Sequence, residues 1–247
     1  MEQNRAVELK YLGHATFMFT TPAGNKVLVD PWVNGNPACP EADKKIDRLD
    51  VMLITHGHFD HIYDAVELAR RHKPKIGCIY EIASWLGRKG VENVSAMNKG
   101  GSQQLLDVRV TMVDARHSCG ITEEDGSIVY GGEAAGYILQ FENGFRVYHT
   151  GDTCVFGDMA IIADLYQPDV VLLPVGDLFT MDARQSAYAC RLMNARRIIP
   201  MHFGTFPALT GRPEQVAELL RDERTEVIPL KPGEGLLQTR LLEAART

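Results

Sequence analysis

The hydrophobic and polar positions of this chain divide it into short apolar runs separated by polar breaks. Residues 7–11 and 15–20 alternate or run apolar, which predicts two half-buried strands. Thr21-Pro22-Ala23-Gly24-Asn25 is turn chemistry, and a third strand is expected over 26–29, ending at Asp30-Pro31. Residues 34–47 carry Gly35, Asn36, Pro37 and Pro40 and read as a surface loop. The almost wholly apolar run 51–55 predicts a central strand covered on both faces. Helical spacing follows at 65–72, then a strand at 75–80 and a helix at 82–89 stopped by Gly90.

Further on, 108–113 alternates as a strand does, and a long loop is expected from His117 to Gly132. Residues 136–141 and 145–149 predict a hairpin about Asn143-Gly144, a favoured two-residue turn. A strand at 169–174, a helix at 183–193, a strand at 197–200 and a helix at 213–222 come next, and 236–242 is expected to add one last strand. Strands in runs, followed by strands alternating with helices, predict an α/β (α+β) fold with sheets covered by helices. No linker, low-complexity tract or fixed-period repeat interrupts this order, so 1–247 reads as one domain.

The densest chemistry is Thr55-His56-Gly57-His58-Phe59-Asp60-His61. It places three histidines and an aspartate within six residues, directly after an apolar strand, in a protein with 8 histidines among 247 residues. Neutral imidazole and carboxylate are the donors that zinc, iron and manganese accept. Gly57 is expected to relieve crowding between the first two donors. Three further candidates, His117, Asp152 and His202, each lie just past a predicted strand. Strand ends are where α/β folds gather ligands and catalysts.

This pattern, His-x-His-x-Asp-His, a lone His, a Gly-Asp and a final His, resembles the metallo-β-lactamase superfamily. The chain looks most like the bacterial and archaeal metal-dependent hydrolases, whose relatives include ascorbate-phosphate lactonases and, further off, phospholipid-cleaving phosphodiesterases. Leu12-Gly13-His14-Ala15-Thr16, Val29-Asp30-Pro31, Gly35-Asn36-Pro37, Tyr148-His149-Thr150-Gly151-Asp152-Thr153, Leu173-Pro174-Val175-Gly176, Phe179-Thr180-Met181 and Ile199-Pro200-Met201-His202 carry the likeness. It departs where Phe203 is followed by Gly204, Ser118 by Cys119 and Met181 by Asp182-Ala183. The resemblance implies a four-layer αββα sandwich with the site at one edge of two sheets. It also implies two divalent metal ions, zinc foremost, with manganese, iron or nickel as alternatives. His56, His58 and His117 would hold the first, Asp60, His61 and His202 the second, and Asp152 would bridge them.

The expected activity is hydrolysis of a lactone, ester or phosphodiester by a water that two cations make acidic. Asp60 is expected to be both metal ligand and proton acceptor. His14 is read as either a structural histidine or a contact at the site edge. Asp30 is a candidate for steadying a metal-bound imidazole, which usually donates its other N–H to a carboxylate or carbonyl. His149 and His72 read as structural and Cys119 as incidental, while Arg116, Arg184 and Lys99 could meet an anion but read first as surface charge. Two other functions stay open. One is a non-catalytic metal-binding protein. The other is a di-iron redox protein of the same fold, although such flavoproteins carry an acidic residue where His58 stands.

A formal net charge of −6 argues against a nucleic-acid partner, yet bound cations leave a small anionic substrate open. The opening MEQNRAVELKYLGHATFMF shows no signal-peptide pattern, and no apolar stretch is long enough to span a membrane. Five scattered cysteines without a C-x-x-C pair suggest a reducing compartment. A cytoplasmic location, no membrane partner and, from the resemblance, a homo-oligomer are the expectations.

Overall fold

Apolar alternation along the strands builds two seven-stranded sheets that face each other in the computed structural model, which describes residues 6–243. The first half of the chain runs β1 (Glu8–Gly13), β2 (Thr16–Thr20), β3 (Lys26–Val29), α1 (Glu41–Lys44), β4 (Val51–Leu53), α2 (Phe59–Ile62), α3 (Ala65–His72), β5 (Lys75–Ile79), α4 (Tyr80–Arg88) and β6 (Val94–Met97). The second half runs β7 (Ser102–Leu105), β8 (Val108–Asp114), β9 (Gly120–Thr122), β10 (Ile128–Tyr130), β11 (Ala135–Phe141), β12 (Arg146–His149), α5 (Met159–Tyr166), β13 (Val170–Pro174), α6 (Ala183–Met193), β14 (Arg197–Met201), α7 (Pro213–Leu219), β15 (Glu226–Val227), β16 (Gly235–Leu237) and α8 (Gln238–Glu243).

The first sheet is ordered β16-β1-β2-β3-β4-β5-β6 and the second β15-β14-β13-β12-β11-β8-β7. Each sheet is half antiparallel and half parallel. Pairing is antiparallel from β16 to β3 and parallel from β3 to β6. In the second sheet it is antiparallel from β7 to β12 and parallel from β12 to β15.

The period of two sorts side chains between layers. Tyr137, Leu139 and Phe141 of β11 join the core between the sheets, with Phe17, Phe19, Val27 and Val29 of the facing sheet. Ile138 points the other way, into a second cluster with Met159 and Ile162 of α5 and Ala187 and Cys190 of α6. The same split separates Val170 and Leu172 from Val171 and Leu173 in β13. On the far side α3 and α4 bury Leu68, Ala69, Ile82 and Leu86. The result is the expected αββα sandwich. Across the middle, the Tyr137 hydroxyl donates to the Ile54 carbonyl at 2.7 Å, and the Ala135 N–H donates to the Thr55 carbonyl at 3.0 Å.

Several expectations change. The C-terminal strand stops at Leu237, where its register with β1 runs out at Glu8↔Leu237. Gln238 then turns the chain into α8 and buries Leu241. The loop 117–132 contains a small hairpin, β9 with β10. The loop 34–47 holds α1, and its Asn36 is fully buried, donating to the carbonyls of Gly13 and Trp32. Helix α5 is an addition: its apolar residues run nearly all round it, and Met159, Ile162 and Ala163 form the buried face while Ile161 and Leu165 stay exposed. Among the described residues no helix is long and apolar enough to cross a membrane.

Candidate metal centre

Strands β1, β3, β4, β8, β12 and β14 all finish at the same edge of the sandwich, and the chemistry-bearing residues follow their last positions. His14 follows β1, Asp30 follows β3, His56 to His61 follow β4, His117 follows β8, Asp152 follows β12 and His202 follows β14. His14, Asp30 and His202 are non-glycine residues held at φ of 59°, 55° and 56°. Such left-handed conformations cost energy and persist where the surroundings fix them. Here the fixing contact is direct: the His202 N–H donates to the His14 carbonyl at 2.6 Å, which joins the two sheets at the site.

All seven expected donors converge. His56 Nε2 lies 3.1 Å from His58 Nδ1, which lies 3.2 Å from His117 Nε2. On the other side His202 Nε2 and His61 Nε2 lie 2.9 and 3.3 Å from Asp152 Oδ2, and His202 and His61 lie 3.8 and 4.0 Å from Asp60 Oδ2. Asp152 Oδ2 also sits 3.7 Å from His117 and 3.9 Å from His56, between the two groups.

The donor set fits divalent cations. Ligands about 2.0–2.1 Å from a tetrahedral zinc are roughly 3.3 Å from one another, close to these separations. Asp152 Oδ1, His61 Nε2 and both ring nitrogens of His202 are buried without a hydrogen-bond partner, which is costly for polar atoms that hold no ligand.

The remaining ring nitrogens explain which atom each imidazole presents. Asp30, fully buried, accepts from the Thr55 N–H and the Thr55 hydroxyl, both at 2.8 Å, and from His61 Nδ1 at 2.7 Å. With its only proton given to Asp30, the Thr55 hydroxyl must accept from His56 Nδ1–H, 3.0 Å away. One carboxylate thus turns the Nε2 lone pairs of both His56 and His61 into the site. The Ser118 hydroxyl, 3.2 Å from His58 Nε2, does the same for His58 in the opposite sense and leaves Nδ1 facing inward. The His14 Nε2–H donates to Asp60 Oδ2 at 2.9 Å while Nδ1 meets the Thr205 hydroxyl at 3.0 Å. Thr55, Ser118 and Thr205 escape a reading of the sequence alone, although Thr55 and Ser118 adjoin site residues and Thr205 lies three positions past His202.

Charge follows geometry. Burial keeps the pKa values of His56, His58 and His117 below the usual imidazole value. Burial and the neighbouring His202 push His14 down to about 4. Burial opposes charge on His61 too, but Asp152, Asp30 and Asp60 outweigh it and hold its pKa well above the ordinary value. The proton they hold there is the one a metal ion would displace. For Asp152, His202 and His61 overcome the opposing effect of burial and keep the carboxyl ionised.

A pH prediction follows for the metal-free protein. Below pH 6.5 the unfolded chain protonates its histidines while buried His14 resists, so stability should fall as pH drops from 6.5 toward 4. His14 alone accounts for about 3 kcal/mol over that window. His61, with its raised pKa, contributes fully throughout the window and leaves the slope unchanged. Urea unfolding at pH 7 and pH 4.5 reads the loss, and His14→Gln should make it shallower.

Other candidates lie outside the constellation. His149 Nε2 donates to the Ala15 carbonyl at 2.9 Å, a structural role. Lys99 is held by Asp114 and Glu133, Arg116 by Asp114, and the Cys119 thiol donates to the Gly131 carbonyl. Gly57 also meets a neighbour from another segment. A Cβ there would come 2.5 Å from Ile121 Cγ1 and 3.3 Å from the Cys119 carbonyl oxygen, so glycine is needed for the close approach of β9.

The comparisons bear on the family. The β-lactamase superfamily domain model matches residues 25–203. A UPF0173 metal-dependent hydrolase of Koribacter versatilis is 56% identical over 230 residues, covering 93% of this chain and 97% of that protein. The chain belongs to the metal-dependent hydrolases of the β-lactamase superfamily. A second such hydrolase, from Solibacter usitatus, is 54% identical over 227 residues, 92% of this chain and 98% of its own length. The solved structure of Igni18, a metallo hydrolase from Ignicoccus hospitalis, superposes with a TM-score of 0.81 at 33% identity, covering 94% of this chain and 98% of that one.

Proposed function

We propose that this hydrolase holds two divalent cations and cleaves a small ester, lactone or phosphodiester. His56 Nε2, His58 Nδ1 and His117 Nε2 would hold one cation. Asp60, His61 and His202 would hold the other, with Asp152 shared between them. The observation that carries this reading is the convergence of four imidazoles, those of His56, His61, His117 and His202, on one carboxylate oxygen, Asp152 Oδ2, with the outer nitrogens of His56, His58 and His61 already engaged. Imidazole and carboxylate suit zinc, manganese, iron or nickel, with zinc the first choice.

Bound cations would lower the pKa of a water and stabilise the negative charge that develops on the substrate. The chain's own part is to fix donor geometry and handle the proton. His14 pins Asp60 Oδ2, so the Asp60 carboxylate keeps one orientation toward the site. Against burial, two neighbours, His61 by its charge and His14 by hydrogen bond and charge, keep that carboxyl ionised, ready to accept a proton or orient the attacking water. Lys99 and Arg116 are already paired with carboxylates, so an anionic substrate would find its positive charge in the metals. A small cytosolic molecule, handled without a nucleic-acid or membrane partner, remains the substrate class favoured by the acidic composition.

The test loads the purified protein with zinc and with manganese, counts metal per chain, and assays a generic phosphodiester beside a generic lactone. Two metals per chain and turnover that Asp60→Ala removes are the expected results. Near-normal turnover in Asp60→Ala would sink the role given to that residue, and absence of bound metal would sink the centre itself.

A further inference from the structure

Three aromatic side chains stand on the segments that carry the site. Trp32 lies two residues past Asp30, Phe59 sits between His58 and Asp60, and Phe206 follows Thr205, the residue that meets His14. They form one cluster. Trp32 and Phe206 stack with ring centroids 5.8 Å apart, Phe59 meets Trp32 edge-on at 5.8 Å, and Phe59 and Phe206 are 6.2 Å apart. The His14 ring touches the cluster edge-on, 5.1 Å from Trp32 and 5.6 Å from Phe206, while its Nε2 holds Asp60. The wall is therefore continuous with the Asp60 side of the centre.

Its members differ in exposure. Trp32 is buried at 3% and supports the wall from behind, whereas Phe59 leaves 53% of its surface open. Phe59 lies within the densest run of polar donors in the chain, where folding alone gives no reason for a large apolar ring to face water. Ligand sites commonly pair a few fixed polar groups with aromatic walls.

We propose that the Trp32–Phe59–Phe206 wall is a specificity subsite that receives a flat aryl substituent carried beside the hydrolysed bond. This rests on the proposed metal centre, which would hold the polar end of the same molecule.

Calorimetric titration of the metal-loaded protein with phenylphosphonate and with methylphosphonate separates the two ideas. Both probes offer the same anionic head to the centre, and only the first carries a ring. Phenylphosphonate is expected to bind about tenfold more tightly, from burial of its ring against the wall. Phe59→Ala should bring that ratio close to one, and Phe59→Leu should restore part of it. Equal affinities in the wild type, or a preference that survives Phe59→Ala, overturn the subsite while leaving the centre standing. Failure of both probes to bind the metal-loaded protein overturns the subsite and the anion-binding centre together.

Discussion

Asp152→Asn is expected to lower turnover by at least about 10³-fold, the equivalent of roughly 4 kcal/mol, and to reduce the bound metal below two per chain. The substitution keeps the shape of the side chain and removes its charge. Asp152 Oδ2 lies within 4 Å of His56, His61, His117 and His202 together, so its loss weakens both halves of the centre. An amide also places an N–H₂ donor among imidazoles whose lone pairs point inward. Metal analysis and steady-state kinetics check the outcome, with circular dichroism as the control for folding. Asp30→Asn gives a useful comparison. It leaves all seven donors in place and disturbs only the atom that sets the ring orientation of His56 and His61, so a loss of about 10–100-fold is expected. Equal losses in the two variants would show that Asp152 only positions its neighbours.

Gly176→Ala should destabilise the protein by about 3 kcal/mol or more and lower activity with it. Gly176 follows β13 and lies against the loop after β14. A Cβ there would overlap the His202 carbonyl oxygen and lie 3.1 Å from the His202 carbonyl carbon. The obstacle is backbone, which cannot rotate aside as a side chain can. His202 has little freedom to yield, because its N–H is bonded to the His14 carbonyl and its φ is already positive. The new methyl group therefore either breaks that bond between the sheets or opens the contact in which Gly211 N–H donates to the Gly176 carbonyl at 3.1 Å. A lower urea midpoint together with reduced metal affinity is the expected signature. Wild-type stability with lost activity would mean that the loop moves freely and the strain argument is wrong.

These predictions rest unequally on sequence and structure. Residues 65–72 and 183–193 form helices over the ranges their spacing predicts, since each carries one apolar face that must be buried. The dense His-x-His-x-Asp-His run was equally legible, because its donors are close in sequence and need no fold to be near one another. Short edge strands such as β6 and β7 were not, because VSAM and SQQL carry little apolar alternation and are held by neighbours.

The sequence by itself determined which residue types could bind metal, and it placed every one of them just past an apolar strand. That information is local: the order of donors and the periodicity around them. The tertiary structure decided how far apart the donors lie and which atom each one presents. Asp30 reaches His61 across 31 positions, and His14 reaches Thr205 across 191. No pattern along the chain encodes such pairs, because the first follows from the parallel pairing of β3 with β4 and the second from the meeting of two different sheets. The aromatic wall and the need for glycine at position 57 belong to the same class, for both depend on segments that meet only when the two sheets close on each other.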